Sequence, residues 1–160
     1  MPPRIANLAK KYMKSPVSIK TEQDRIANNA VDQIYFEVTQ ANKFDTLCRI
    51  IDMEEEFYGI VFCRTKISSD EVNQHLNQRG YRSETFHGDI SQDRREQIMG
   101  DFRKKKLEIL VATDVAARGI DVSDLTHVIN YALPQNSESY VHRIGRTGRA
   151  GKDGKAITLI

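Results

Sequence analysis

The sequence predicts an α/β fold with a mostly parallel central sheet, and three observations support this prediction. Short apolar segments rich in β-branched and aromatic residues alternate with amphipathic segments from about residue 58 onward. Most of the apolar segments are continuous, as expected for parallel strands that are buried on both faces. The amphipathic segments between them have the length and pattern of the crossover helices that parallel strands require.

The predicted strands are identified by their apolar and β-branched content. The segments YGIVFCR at 58–64 and LEILVA at 107–112 are continuous apolar runs, which favour buried central strands. The segment KAITLI at 155–160 has the same character. Further strands are predicted at 31–38, 82–87 and 125–133.

Four amphipathic segments are predicted to be helices, at 43–53, 68–78, 91–103 and 136–146. In the second of them, Val72 and Leu76 share one face at helical spacing. Ser68 and Glu71 have the pattern of a capping box, which predicts that this helix begins at Ser68. In the third helix, Ile98 and Phe102 form the apolar face.

The first twenty-five residues do not follow the alternating pattern. A short amphipathic helix is predicted around Ile5, Leu8 and Tyr12, followed by an extended piece at 14–19 and a polar linker at 20–29. A helix and one strand are too little to fold alone. Two interpretations remain open: the segment is the severed end of a preceding domain, or it packs on the flank of this one.

Length and composition are those of one globular domain without a membrane segment. The 160 residues are 39% hydrophobic and 29% charged, which is enough to build a core. No run approaches the roughly 18 consecutive apolar residues of a membrane helix, and the N-terminus lacks the apolar core of a secretory signal. Cys48 and Cys63 form no CxxC motif. These features predict a cytoplasmic protein with reduced thiols, not bound to a membrane.

The net charge of +2 is unevenly distributed. Residues 1–25 contain six basic and two acidic side chains, and residues 141–160 contain five and one, so each end carries +4. The middle of the chain carries −6. A basic end is suited to polyphosphate or nucleic acid, but charge runs of this size are more often solvated surface.

The most informative motif is HRIGRTGR at 142–149. Helical spacing places His142, Arg146 and Arg149 on one side of a turn, where like charges repel. A polyphosphate would supply the missing negative charge, since guanidinium groups bind phosphate oxygens bidentately and stabilise charge during phosphoryl transfer. From the residues alone, a basic loop for acidic partners is an equally good interpretation.

A second motif, ATDVAARGID at 112–121, follows a predicted buried strand. Ligands of open α/β sheets bind at the carboxyl ends of the strands. Thr113 and Arg118 are suited to a sugar–phosphate chain, and Asp121 to ribose hydroxyls. Asp114 and Asp121 also fit a helix cap and a turn, but these structural roles do not explain Arg118.

Two further strand ends, IVFCRT at 60–65 and FHGDISQDRR at 86–95, extend this edge. They place Arg64, His87, Gln92 and Arg95 at the same edge as Thr113, which predicts a rim that contacts phosphates. A single histidine such as His87 more often has a structural role.

Two elements of a complete nucleotide-hydrolysing centre are absent from the sequence. There is no GxxxxGK[ST] loop to hold β- and γ-phosphates, and no acidic cluster after a strand to hold magnesium. No metal ligands are therefore predicted in this chain.

In their order and spacing, the four motifs resemble those of the carboxyl-terminal RecA-like domain of DEAD-box ATP-dependent RNA helicases. The resemblance covers residues 30–160, and the opening segment is similar to the end of the family's first domain. It implies a RecA-like three-layer sandwich. It also implies a boundary, with residues 1–25 as the tail of the preceding RecA-like domain plus the linker and 26–160 as the helicase C-terminal domain.

The resemblance also implies residue roles. The implied catalytic residues are Arg146 and Arg149 as arginine fingers on the γ-phosphate, with His142 and Arg143 connecting to the acidic motif of the other domain. Asp121 and Gly119 would contact ATP, and Phe62 would pack beneath the arginine motif. The implied RNA-binding residues are Arg64, Thr65, His87, Gly88, Gln92, Arg95, Thr113, Arg118 and Gly119.

The implied cofactor is ATP with Mg²⁺, both bound mainly by the N-terminal RecA-like domain. The implied partners are that domain and the backbone of RNA, and the isolated chain is expected to be inactive. A non-catalytic RNA-binding or regulatory module is the alternative, and self-association through residues 1–20 is a further expectation. Ala132 stands where many family members have Asp, so this chain departs from the family's pattern at that position.

Overall fold

The computed structural model describes residues 3–14, 30–117, 120, 122, 125–148 and 152–160, with side chains from residue 7 onward. The predicted linker at 20–29 and nearly all of the extended piece at 14–19 lie outside these residues. No helix within the described ranges is long and apolar enough to cross a membrane.

Helices and strands alternate along the chain after the first helix. The helices are α1 (Pro3–Tyr12), α2 (Lys43–Met53), α3 (Lys66–Gln78), α4 (Gln92–Arg103), α5 (Asp114–Ala117) and α6 (Ser137–Ile144). The strands are β1 (Val31–Phe36), β2 (Gly59–Cys63), β3 (Ser83–Phe86), β4 (Ile109–Thr113), β5 (His127–Asn130) and β6 (Gly154–Leu159). A short 3₁₀ turn, Gln40–Asn42, leads into α2.

The six strands form one sheet in the order β1-β6-β5-β2-β4-β3, and every pairing is parallel. The register places Val61 of β2 between Val111 of β4 and Ile129 of β5. The mostly parallel sheet expected from the sequence is therefore confirmed. Because all strands run the same way, their carboxyl ends share one edge, and the loops that follow them meet there.

Helices cover both faces of the sheet. Val61 and Cys63 face α2 and α3, whereas Ile60 and Phe62 on the same strand face α4 and α5. Ile144 of α6 packs with Ala156 of β6. Ala156 pairs with Val128 of β5, which belongs to the core cluster on the α4 side, so α6 covers the same face of the sheet as α4. The described residues form a three-layer α/β/α sandwich, as the family resemblance implies.

Two helix ends differ from the sequence prediction. Helix α3 begins at Lys66 rather than Ser68, because the Thr65 hydroxyl accepts the Ser68 backbone N–H and the Ser68 hydroxyl accepts that of Thr65. The capping box thus pairs Thr65 with Ser68, and the predicted pairing of Ser68 with Glu71 is wrong. Helix α6 ends at Ile144, with Gly145 as its C-cap, so Arg146 lies beyond the helix.

His127, the first residue of β5, is buried, and one of its ring nitrogens has no hydrogen-bond partner among the described residues. Its ring stacks on Phe57 with centroids 4.7 Å apart, and its Nδ1 lies 2.7 Å from the Thr126 hydroxyl oxygen. Its Nε2 lies 3.4 Å from a Glu54 oxygen and makes no hydrogen bond within the described part of the chain. Burial lowers the pKa of His127 below 6.5, and the attraction of Glu54 only partly opposes this.

Acidification is therefore expected to destabilise the fold through His127. The unfolded chain takes up this proton near pH 6.5 and the folded chain only at lower pH, so the free energy of unfolding falls as the pH drops through 6.5. The urea midpoint at about pH 5.5 should lie below that at about pH 7.5, with a smaller difference in His127→Asn. Glu54, whose pKa is held below 4.5 by its hydrogen bond from Lys155, keeps its contribution throughout this window.

The control is His75→Asn, which changes an exposed histidine on α3. This variant should keep the wild-type pH dependence. An undiminished pH dependence in His127→Asn would assign the acid sensitivity to another group.

Candidate functional site

The carboxyl ends of β2, β3 and β4 surround a groove of about 570 Å³. Arg64 and Thr65 follow β2, Gly88 follows β3, and Thr113 ends β4, and all four line the groove. These are four of the residues expected to bind RNA, brought from three separate segments. We call this surface the rim groove.

Arg64 is exposed and has no acidic partner among the described residues. It also lines a second groove of about 390 Å³, whose wall includes Lys43. The pKa of Lys43 is lowered, first because burial disfavours its charge and second because Arg64 is near. By contrast, Lys66 pairs with Asp89 beside the rim groove. Among the described residues that line the rim groove, Arg64 is therefore the cation without an acidic partner, which leaves it available to an anionic ligand.

Two other predicted rim residues, His87 and Arg95, hold the loop after β3 rather than line the groove. The buried side chain of His87 places its Nε2 3.0 Å from an Asp70 oxygen. Arg95 donates to the His87 carbonyl oxygen at 3.2 Å and lies over the Phe86 ring, 4.3 Å from its centroid. Gln92 donates to Glu96 on the surface of α4. Their roles toward RNA stay predictions.

Arg143 is buried at the centre of a hydrogen-bond network. It donates to both carboxylate oxygens of Asp114, at 2.6 Å from Nε and 2.8 Å from a terminal nitrogen. Its other terminal nitrogen donates to the Asn130 side chain at 3.0 Å and to the Ala132 carbonyl at 2.6 Å. Arg143 thus ties α6 to the carboxyl ends of β4 and β5.

An aromatic ring completes the environment of Arg143. The guanidinium lies over the ring of Phe62, 4.9 Å from its centroid, which confirms that Phe62 packs beneath the arginine motif. Asn130 is fully buried, and its side-chain nitrogen donates a hydrogen bond to the Thr158 hydroxyl oxygen at 3.1 Å, which fixes its position. Because residue 132 contributes its backbone carbonyl to Arg143, this network does not depend on the side chain at that position.

His142 and Arg146 line one small cleft with Phe62, Asp114 and Ser139. The structure brings His142 and Arg146 together as expected, although Arg146 lies in the turn after α6. Arg146 donates to the Ile120 carbonyl oxygen at 2.8 Å, which holds its guanidinium against the backbone at that residue.

Gly148 fixes how the chain leaves this turn. Its φ of +67° is one that side chains rarely adopt, and a Cβ there would lie 2.5 Å from a Val31 methyl carbon. The motif therefore packs tightly against the start of β1 at this point.

Four of the predicted site residues lie outside the described residues: Arg118, Gly119, Asp121 and Arg149. Their roles stay predictions. Within the described ranges, no group of three or more His, Cys, Asp or Glu side chains is arranged to hold a metal ion.

A family model described as "Helicase conserved C-terminal domain" matches residues 42–151. The DEAD-box ATP-dependent RNA helicases CshA of Bacillus licheniformis and Bacillus subtilis are each 48% identical over all 160 residues. The chain belongs to the DEAD-box ATP-dependent RNA helicases. It corresponds to their C-terminal helicase domain and spans about a third of the length of these curated relatives, 33% and 32% respectively.

Solved DEAD-box structures agree with this assignment. A DEAD-box protein from Methanococcus jannaschii is 52% identical, with a TM-score of 0.77, covering 100% of this chain and 43% of the other. Saccharomyces cerevisiae Dbp5, solved bound to RNA and ADP BeF3, is 30% identical with a TM-score of 0.86 and the same coverage. The RecA-like fold is therefore confirmed.

Three structural features of the candidate site were not predicted from the DEAD-box motifs. Asp114 was expected as a helix cap at most, yet its carboxylate binds Arg143. Asn130 gave no signal, since a polar residue at a strand end is common. Lys43, on α2, lines the second groove together with Arg64, and the motifs do not include α2. Each depends on contacts between distant segments, which residue spacing does not reveal.

Proposed function

We propose that this chain is the second half of an ATP-dependent RNA helicase, holding the RNA backbone on the rim groove and completing an ATP site in the cleft between two RecA-like domains. The observation that carries the proposal is the position of Arg64. It is exposed, has no acidic partner in the part of the chain that the structure describes, and shares one groove with Thr65, Gly88 and Thr113. Cations and small polar groups at the carboxyl edge of a parallel sheet are suited to a phosphodiester chain.

RNA binding at this groove is expected to be insensitive to base sequence. The lining groups match phosphate and sugar, and such contacts carry no base information. That Dbp5 was solved with RNA supports the choice of ligand. Sequence preference in the cell would then come from other parts of the protein or from its partners.

The ATP role rests on the arginine motif. Arg146 and Arg149 are proposed to reach the γ-phosphate of ATP bound by the first RecA-like domain when the domains close. Asp121 and Gly119 are proposed to contact the nucleotide from this side, and Mg²⁺ bound with ATP would neutralise the phosphates. The network of Arg143 supports this role, since it holds α6, and with it His142, against the sheet.

The proposal is tested by grafting this chain into Bacillus subtilis CshA in place of the third that it matches. RNA-stimulated ATP hydrolysis is measured for CshA, for the chimera and for the chain alone. The chimera should be active and the chain alone inactive. Turnover by the repurified chain, or a chimera that folds by circular dichroism but shows no stimulation by RNA, would contradict the proposal.

Arg64→Ala is expected to weaken RNA binding by about three- to tenfold at low salt, since one phosphate contact is lost. Anisotropy of a labelled single-stranded RNA, titrated with the chain at about 50 and about 200 mM salt, measures this effect. The plot of log affinity against log salt concentration has a negative slope, and this slope should become less steep by about 0.7, the value for one phosphate on a single strand.

The matched control is Arg49→Ala, which removes the same charge from an exposed position on α2. It should leave affinity and slope nearly unchanged. Equal losses in both variants would mean that only net charge matters. Tight binding by the chain alone, independent of ATP, would favour the non-catalytic RNA-binding module.

A further inference from the structure

Two exposed apolar side chains flank the rim groove. Ile67, the second residue of α3, is 72% exposed, and Val115, the second residue of α5, is 79% exposed. Both line the groove, together with Arg64 and Thr113, and neither belongs to a hydrophobic core cluster. The groove therefore combines a cationic and hydroxyl-bearing part with apolar walls from two different helices.

We propose that Ile67 and Val115 clamp the sugar of one nucleotide while its phosphate lies on Arg64 and Thr113. The inference rests on the proposed RNA-binding function and names a contact that the RNA motifs do not include. An RNA backbone alternates anionic phosphates with sugars whose C–H groups are apolar. The groove places methyl groups beside an arginine that has no acidic partner among the described residues. The methyl groups can contact the sugar while the arginine contacts the phosphate.

Charge favours RNA over a protein surface as the occupant. Of the two described cations that line this groove, Lys66 is paired with Asp89 and Arg64 has no acidic partner. A hydrophobic protein segment would leave Arg64 without an anion when it covered the groove, which is costly. A sugar–phosphate chain covers the apolar walls and supplies the anion at once.

The clamp predicts a contribution to affinity that does not depend on salt. Ile67→Ala and Val115→Ala are each expected to weaken binding of single-stranded RNA to the chain by about threefold, and the double variant by about tenfold. Because no counterion is released from an apolar contact, the salt slope should stay at the wild-type value, unlike that of Arg64→Ala. The variants change exposed side chains, and circular dichroism checks that they fold.

Met53→Ala is the matched control. Met53 is 84% exposed and ends α2, next to Glu54, which binds Lys155 at the start of β6 and so at the opposite edge of the sheet. This variant should bind RNA as the wild type does. A loss equal to that of the clamp variants would mean that any exposed apolar side chain has the same effect, and would overturn the proposal.

The assignment to sugar rather than base is tested with an RNA that carries abasic nucleotides. The clamp variants should lose the same factor on this strand as on a normal one. A loss that disappears on the abasic strand would assign the apolar pair to a base instead.

Failure of the clamp and failure of the RNA-binding function give different results. If Arg64→Ala weakens binding but Ile67→Ala/Val115→Ala does not, the clamp is wrong and the function stands. If Arg64→Ala has no effect either, the function itself is wrong. If the double variant binds RNA normally but associates less with the first RecA-like domain of CshA, the apolar pair is a contact between domains.

Discussion

Replacing Arg149 by alanine in the CshA chimera is expected to lower RNA-stimulated ATP hydrolysis by about a thousandfold. An arginine at the γ-phosphate stabilises negative charge that develops in the transition state, and removing such a group typically costs this much or more. Turnover at saturating ATP and RNA is the measurement, because the interaction is made mainly in the transition state.

The control separates an arginine finger from loss of positive charge. Arg49→Ala removes an exposed arginine from α2 and should leave turnover within about twofold of the chimera. Arg149→Lys keeps the charge but not the planar bidentate group, and should recover only a small part of the activity. Both variants should unfold at the same denaturant concentration as the chimera.

Arg146→Ala should also reduce turnover, but part of its effect will be structural. Its guanidinium donates to the Ile120 carbonyl oxygen, so the alanine variant also removes this contact to the backbone. Stability must therefore be measured beside turnover for this variant. Near-normal turnover in Arg149→Ala would remove Arg149 from the mechanism and leave Arg146 as the one candidate finger.

The fold was predictable because its signals are local. The apolar runs that form β2 and β4 are continuous, which by itself indicates burial on both faces of the sheet. The helical segments between the strands indicate that the strands are parallel. The strand order was not predictable. It depends on which crossovers pack on which face, and β6 pairs with β1 although they lie at opposite ends of the domain.

Part of the candidate site's layout was predictable from the sequence, but the direction of individual side chains was not. Position at a strand end correctly grouped Arg64 with Thr113, since parallel strands share a carboxyl edge. His87 also follows a strand at this edge, but its buried ring lies against Asp70 and does not line the groove, which agrees with the structural role that a single histidine more often has. Where a side chain points at a strand end depends on its neighbours in space, and spacing along the chain holds no information about these.

Removing Arg143 is expected to cause the largest loss of stability among the described site residues. Arg143→Met should lower the free energy of unfolding by about 3–5 kcal/mol, because it leaves Asp114 and the fully buried Asn130 without their donor. Urea unfolding of the 160-residue chain, followed by circular dichroism, measures this loss. Met fills much of the space over the Phe62 ring, so lost hydrogen bonds rather than a cavity dominate.

Two further variants identify the cause. Arg143→Lys retains the charge but has one compact donor group, which cannot bind both Asp114 oxygens, Asn130 and Ala132 at once. It should therefore recover less than half of the loss. In the double variant Arg143→Met/Asp114→Leu the orphaned carboxylate is gone, and stability should return to within about 2 kcal/mol of the wild type.

The double variant also separates stability from catalysis. If Arg143 acts only by holding α6, the double variant in the CshA chimera should fold and retain much of the RNA-stimulated turnover, since His142 and Arg146 stay in place. If Arg143 also bridges to the first domain, as the family resemblance implies, the double variant should be stable and yet inactive. Four of its five N–H donors already bind groups of this domain, which favours the first result. A stable but inactive double variant would show that Arg143 exchanges these partners when the domains close.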